Sequence, residues 1–134
     1  MNEEIQKVIK ASNFEIVQGT YVYTKVSEMP TSAEKHFMVS RDGDEITVVT
    51  KRENIGSLKM LERNKDDYAL IALNVSIPFY SVGFLATISG AIAKEGMNIL
   101  IISTYSKDYI MVKKDYADKA KGVLLGLGFA EKKG

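Results

Sequence analysis

The chain has 134 residues, of which 46% are hydrophobic and 26% charged, and its formal net charge is +1. These totals are typical of a globular protein with one ordinary domain or two very small ones, and they argue against disorder and against nucleic-acid binding. With no cysteine and a single histidine, the chain excludes disulfides, thiolate metal sites, cysteine nucleophiles and a multi-histidine zinc site.

One uncharged run, residues 69–93, is long enough to resemble a membrane span. Pro78 interrupts the run, and polar side chains such as Asn74 and Ser89 dilute it. A buried strand followed by a buried helix therefore fits better than a membrane span. The acidic N-terminus also lacks the basic and then apolar order of a secretion signal, so we expect a cytoplasmic protein without a membrane partner.

The first half of the chain reads mainly as strands, with helical patterns near its two ends. Ile5, Val8 and Ile9 have the spacing of a helix with one buried stripe. In chain order we predict a helix at 3–12, strands at 14–18 and 21–26 (two strands or one kinked strand), a polar connection at 27–35, a strand at 36–40, an Asp-Gly turn at 41–44, a strand at 45–51 and a helix at 53–63.

The second half shows a clearer alternation of strands and helices. We predict a strand at 69–75, an uncharged turn, a helix from Val82 to about Glu95 ended by Gly96, a strand at 98–105, a strand at 109–113, a helix that begins near Asp115 and is ended by Gly126 and Gly128, and an edge strand at 129–132. The first of these helices is apolar nearly all round, which indicates burial on two sides. Because Phe84, Ile88 and Ala91 share a face that needs cover, we expect a homodimer; the alternative is that the first half of the chain, which lacks its first helix, covers this face.

The two halves echo each other. Ser40 and Glu45 match Ser103 and Asp108 at a constant offset of 63 residues. The segment before each match is about one helix shorter in the first half. We therefore predict an α+β protein of two ferredoxin-like βαββαβ units, at 1–65 and 66–134, with antiparallel sheets, helices on one face and no first helix in the first unit.

Two segments also carry a family resemblance. Residues 101–112, with the Ser-Thr-Tyr corner followed by Asp108, and residues 81–86 closely resemble small tandem ACT-domain proteins. They are similar to the last ACT unit of cytosolic arginine sensors and, more distantly, to the regulatory tail of aspartokinases. The resemblance implies an amino-acid-binding regulatory module, assembled by side-by-side pairing of ACT units, which passes its signal to a protein partner.

The chemistry of a helix start agrees with that implication. Unpaired amides there attract an anion, and Gly83 lets a ligand approach the backbone without a Cβ in the way. The resemblance implies that Asp108 holds the ammonium group of the ligand, with Ser103 and Thr104 beside it. The predicted ligand site is formed by Ser81, Val82, Gly83, Phe84, Leu85, Ser103, Thr104 and Asp108, with Phe79, Tyr80 and Tyr105 as a possible pocket wall.

Each of these residues also has a structural explanation. Gly83 can serve close packing, Asp108 can bond its own hairpin corner, and Ser103 and Thr104 can be plain strand residues. The alternative function is a structural or assembly module whose pocket is filled by Phe79, Phe84 and Tyr105. No P-loop, dinucleotide fingerprint or nucleophile elbow is present, so we expect no catalytic residue, no metal and no cofactor.

Overall fold

The computed structural model describes residues 1–75 and 82–133. These residues form two compact units: residues 1–18 with 69–134, called here the terminal unit, and residues 19–68, called the inserted unit. The predicted boundary lies between residues 65 and 66, whereas the first 18 residues pack with the second half of the chain. Division of the sequence into ACT-like units at that boundary stays a prediction.

The terminal unit combines a sheet with three helices. Its elements are α1 (Glu3–Lys10), the first residues of β1 (Asn13–Val26), β5 (Tyr68–Asn74), α2 (Phe84–Lys94), β6 (Leu100–Ser103), β7 (Asp108–Lys113), α3 (Ala117–Leu127) and β8 (Ala130–Glu131). The strands run in the order β8-β1-β5-β7-β6. Strand β8 pairs in parallel with the start of β1, so the helix and strand that open the chain complete this unit.

Local signals explain the helix ends. The Asn2 side chain accepts a hydrogen bond from the Ile5 amide at 2.8 Å and so caps α1, whose buried residues are those of the predicted stripe. Gly96 and Gly128 have φ angles of +80° and +115°, the left-handed conformation expected of glycines that end helices. The helix predicted to begin near Asp115 is α3, which begins after Tyr116 without a side-chain cap.

The core of the terminal unit gathers apolar residues from all three helices and from the sheet. Phe129 stacks edge-on against Phe14 at 6.4 Å and against Phe84 at 6.3 Å between ring centroids. Phe84 is 6% exposed and Ile88 is fully buried in this core. For Phe84 and Ile88, the cover expected from a second copy is therefore supplied within the unit, whereas Ala91 is half-buried and lies outside this core. The homodimer stays a prediction.

The inserted unit is a small sheet without an α-helix. It contains residues 19–26 of β1 together with β2 (Met38–Asp42), β3 (Glu45–Lys51) and β4 (Met60–Arg63). Strand β3 pairs antiparallel with β1 and β2, and β4 pairs antiparallel with β1. The α+β class and a first unit without its first helix are thus confirmed.

The predicted helix at 53–63 is wrong. A short 3-10 helix covers Arg52–Ser57, and the following residues form β4. Gly56 weakens any helix across this stretch, and pairing with residues 24–26 of β1 satisfies the backbone of β4 instead. Among the described residues, no helix has the length and apolar character needed to cross a membrane.

Candidate functional site

The end of β6 and the start of β7 bring two of the predicted site residues together. Ser103 lies directly opposite Asp108 in the ladder, and its Oγ donates a hydrogen bond to Asp108 Oδ1 at 2.6 Å. The Thr104 amide donates to the Lys107 carbonyl at 2.8 Å and closes the corner between the strands. Asp108 is half-buried and makes no salt bridge with any described residue. Its carboxylate is therefore oriented by Ser103 but not neutralised.

Asp108 borders a small cleft, called here the Asp108 cleft. The cleft has a volume of about 180 Å³ and is lined by Val75, Thr104, Tyr105, Ser106, Lys107 and Asp108. Pockets for drug-sized ligands run from about 300 Å³ upward, so this one suits a smaller molecule. It lies where the end of β5 meets the corner between β6 and β7.

The start of α2 is the part of the predicted site that would bind an anion. Gly83 is its N-cap, and no side chain caps the helix. The first intrahelical bond runs from the Thr87 amide to the Gly83 carbonyl at 2.9 Å, so the amides of residues 83–86 have no partner within the helix. Gly83 is exposed. A Cβ at this position would lie 3.5 Å from Ile5 Cδ1, an ordinary contact, so space does not require glycine here. Its left-handed φ of +91° does.

The remaining predicted site residues differ in what they offer. Val82 is 92% exposed, whereas Phe84 is buried and Leu85 is half-buried against the core, so these two residues have their backbone amides to offer. Ser81, Phe79 and Tyr80 lie outside the described residues.

Two of the three aromatic residues expected to fill the pocket in the alternative function do not do so. Phe84 packs in the core of the terminal unit, and Tyr105 is fully exposed at the rim of the Asp108 cleft. Among the described residues, neither Phe84 nor Tyr105 therefore fills the cleft.

Sequence reasoning missed Val75, Ser106 and Lys107 as cleft residues. Lys107 precedes Asp108 and brings a positive charge beside the negative one. A signal was present in the sequence, since the corner at 106–108 is polar and lies between two apolar strands. Asn74 is a further polar group nearby in the chain: its Nδ2 donates to Asn13 Oδ1 at 2.8 Å, while its own Oδ1 is buried without a partner among the described residues.

Comparison with known proteins finds a family match for part of the chain and solved structures of similar fold. Residues 63–125 match a family model described as an ACT domain. No curated protein sequence matches the chain. A Vibrio cholerae protein of unknown function, described as a possible transport protein, shares 22% identity and a TM-score of 0.79, over 94% of this chain and 97% of that one.

Two further solved structures have the same fold. A protein from Agrobacterium tumefaciens is 19% identical with a TM-score of 0.74, over 92% of this chain and 93% of that one. The regulatory subunit of aspartate kinase from Thermus thermophilus, in a ligand-free form, is 12% identical with a TM-score of 0.56, over 90% of this chain and 98% of that one. At these identities the likeness extends to the fold.

Proposed function

Taking residues 63–125 as an ACT domain, we propose that this protein is a non-catalytic sensor that binds a small metabolite, in the first place an amino acid. The observation that carries the proposal is the carboxylate of Asp108. It is held by Ser103, it borders a small cleft, and it makes no ion pair with a described residue. A carboxylate that is oriented but not yet paired with a cation can bind the ammonium group of a ligand.

The proposed site binds the two charged main-chain groups of an amino acid separately. The carboxylate of the amino acid bonds the free amides that open α2, from Gly83 to Leu85, where the helix dipole favours negative charge. The ammonium group bonds Asp108, with Ser103 and Thr104 beside it. Lys107, on the rim of the same cleft, adds an attraction for the ligand carboxylate. Because both contacts are to main-chain groups of the ligand, its side chain is left to the wall of the cleft, to which Tyr105 belongs.

A regulatory role is supported by the kind of protein that shares this fold. The Thermus thermophilus structure is a regulatory subunit, and a Porphyromonas gingivalis structure, 18% identical with a TM-score of 0.54, is described as a putative C-terminal regulatory domain of aspartate kinase. We propose that ligand binding to this chain likewise regulates a protein partner.

We keep the homodimer as a proposal, on a different surface from the one first considered. Strand β6 ends the strand order of the terminal unit, and Ile101 on it is 41% exposed. An edge strand with an exposed apolar side chain is a natural place for strand pairing between two copies. Sedimentation measurements that show a strict monomer at micromolar concentration would exclude the dimer. A cytoplasmic location stays a prediction.

Thermal unfolding in the presence of each of the twenty amino acids tests the sensor function. A ligand at a hundredfold excess over its Kd raises the free energy of unfolding by about 2.7 kcal/mol. At the same ligand concentration the response should fall to about a third, roughly 0.9 kcal/mol, in Asp108→Asn. It should persist in full in Asp115→Asn, which removes the same charge from an exposed residue of the same unit. A flat profile for all twenty amino acids at millimolar concentration would contradict the proposal.

A further inference from the structure

The inserted unit has a cleft of its own, independent of the Asp108 cleft. It has a volume of about 380 Å³ and is lined by Tyr21, Lys35, His36, Phe37, Lys51, Glu53 and Asn54. All of them belong to the inserted unit. We call it the His36 cleft.

A hydrogen-bonded group fixes one side of the His36 cleft. Thr50 is fully buried, and its Oγ1 lies 2.8 Å from His36 Nδ1 and 3.1 Å from Asn54 Nδ2. The amide nitrogen of Asn54 can only donate, so the Thr50 oxygen accepts that bond. The bond between Thr50 Oγ1 and His36 Nδ1 can run in either direction, depending on the tautomer of the ring. In the tautomer that accepts the Thr50 proton at Nδ1, the imidazole proton is on Nε2 and is a donor for a ligand.

Lys51 is positioned by a glycine on the neighbouring strand. A Cβ built on Gly19 would lie 3.1 Å from Lys51 Cε and 3.3 Å from Lys51 Cδ. The aliphatic chain of Lys51 thus lies across the backbone of β1, in the space that any other residue at position 19 would occupy. This contact limits the rotamers of Lys51 and reduces the entropy that its ammonium group would lose on binding a ligand.

The charges of the His36 cleft favour an anion. Lys35 and Lys51 bring two positive charges, and Glu53 brings one negative charge to the lining. None of the three makes a salt bridge with a described residue, so the lysines are not neutralised by Glu53. The cleft has a net positive charge, whereas the whole chain is close to neutral.

Aromatic side chains form the apolar wall. Tyr21 is 6% exposed, and its ring meets the ring of Phe37 edge-on at 6.3 Å between centroids. An apolar wall lowers the local dielectric constant and strengthens the attraction between an ammonium group and an anion beside it.

From these observations we propose that the His36 cleft binds a small anion, a carboxylate- or phosphate-bearing molecule. Its negative group contacts the ammonium groups of Lys51 and Lys35 and accepts a hydrogen bond from His36 Nε2. The apolar part of the ligand, where there is one, packs on Tyr21 and Phe37.

Titration of the full chain with inorganic phosphate and, separately, with succinate at constant ionic strength tests this site. In two-dimensional NMR spectra of the 15N-labelled protein, we expect saturable shifts at residues 35–37 and 51–54 with at least one of the anions. Saturation by phosphate alone or by succinate alone identifies which anion class the cleft takes. Lys51→Met, which keeps the aliphatic chain and removes the charge, should weaken that binding about tenfold.

Lys59→Met is the matched control, because Lys59 is an exposed lysine of the same unit that does not line the cleft. It should bind the anion like the wild type. Lys35→Met, at an exposed side chain, repeats the test should Lys51→Met fold poorly. Non-saturating shifts with both anions, or equal weakening by Lys51→Met and Lys59→Met, would overturn the proposal. Since the two clefts lie in different units, an amino-acid response of the Asp108 cleft can fail or succeed independently.

Discussion

Two hairpins that match in sequence differ in register. At the offset of 63 residues, Ser40 and Glu45 of the inserted unit correspond to Ser103 and Asp108 of the terminal unit. In the terminal unit, residues 104–107 form the loop and Ser103 pairs with Asp108. In the inserted unit the loop is residues 43–44, and Ser40 pairs with Thr47 instead. Because the loop of the inserted unit is two residues shorter, its serine and its acid do not lie opposite each other.

The surroundings of the two acids differ as well. Glu45 has Lys25 Nζ at 3.5 Å, so its carboxylate already has a cation. Asp108 has a serine hydroxyl at 2.6 Å and a cleft beside it. Matching residue types are thus insufficient to make matching sites, because loop length sets which side chains face each other across a hairpin.

The largest effect that separates the two hairpins should be on ligand affinity. Asp108→Asn removes the charge that holds the ammonium group of the amino acid and should weaken binding by about 2 kcal/mol, roughly thirtyfold. Glu45→Gln should leave the affinity unchanged, since Glu45 is already paired with Lys25 in the other unit. Isothermal titration with the amino acid found by thermal screening measures both. Equal losses in the two variants would remove the distinction between the hairpins.

The next effect concerns the short loop. Gly43 has a φ of +58°, a left-handed conformation that costs other residues about 1 kcal/mol. Gly43→Ala should therefore lower the free energy of unfolding by that amount, although a Cβ there has open space around it. Ser106→Ala, in the longer loop without a left-handed residue, should stay within about 0.5 kcal/mol of the wild type. Urea unfolding compares them, and an unchanged midpoint for Gly43→Ala would contradict the argument.

A smaller loss of stability should follow removal of the serine hydroxyl. Ser103→Ala deletes an exposed hydrogen bond to Asp108 and should cost about 0.5 kcal/mol. The same substitution at Ser40, which is exposed and lies opposite Thr47, should have no measurable effect. Chemical denaturation of both variants gives the comparison. A Ser40→Ala loss as large as that of Ser103→Ala would show that the register difference has no energetic consequence.

The smallest expected effect is a pH dependence of the free energy of unfolding, caused by two tyrosines of the inserted unit. Burial raises the pKa of Tyr23 above its usual 10.0. Burial and then the nearby charge of Asp66 raise the pKa of Tyr68. Both phenols resist ionisation in the folded state, so their stabilising contribution is complete below pH 10 and is lost as the pH rises through the folded-state pKa values.

Denaturation between pH 9 and 11 checks this effect. The free energy of unfolding of the wild type should decline over that interval, and Tyr23→Phe should make the decline shallower. Tyr105→Phe is the control, because that side chain is fully exposed at the rim of the Asp108 cleft. A slope that is unchanged in Tyr23→Phe, or changed equally in Tyr105→Phe, would contradict the prediction.

The candidate site was predicted from sequence in part. The polar corner between β6 and β7 and the helix start near Gly83 follow from short motifs, because strand corners and helix starts depend on a few neighbouring residues. The pairing of Ser103 with Asp108 was not predicted, since it depends on the register of the two strands. Val75, Ser106 and Lys107 were missed as lining residues, because a cleft between strands depends on which strands become neighbours. The joint binding of one ligand by Gly83 and Asp108 stays a proposal.

The sequence by itself determined elements whose signal is local. The strand Glu45–Lys51 lies at its predicted bounds, and Gly96 and Gly128 end their helices as their positions indicate. Backbone preferences and apolar periodicity extend over a few residues, which makes such elements readable from the sequence.

The tertiary structure decided what depends on distant partners. Residues 60–63 form a strand in place of the expected helix because β1 offers them a pairing edge. Helix α1 and the start of β1 join the terminal unit because the buried Ile9 and Phe14 belong to its core. Such contacts join residues far apart in the chain, and burial and strand pairing outweigh local propensities that are worth at most about 1 kcal/mol per residue.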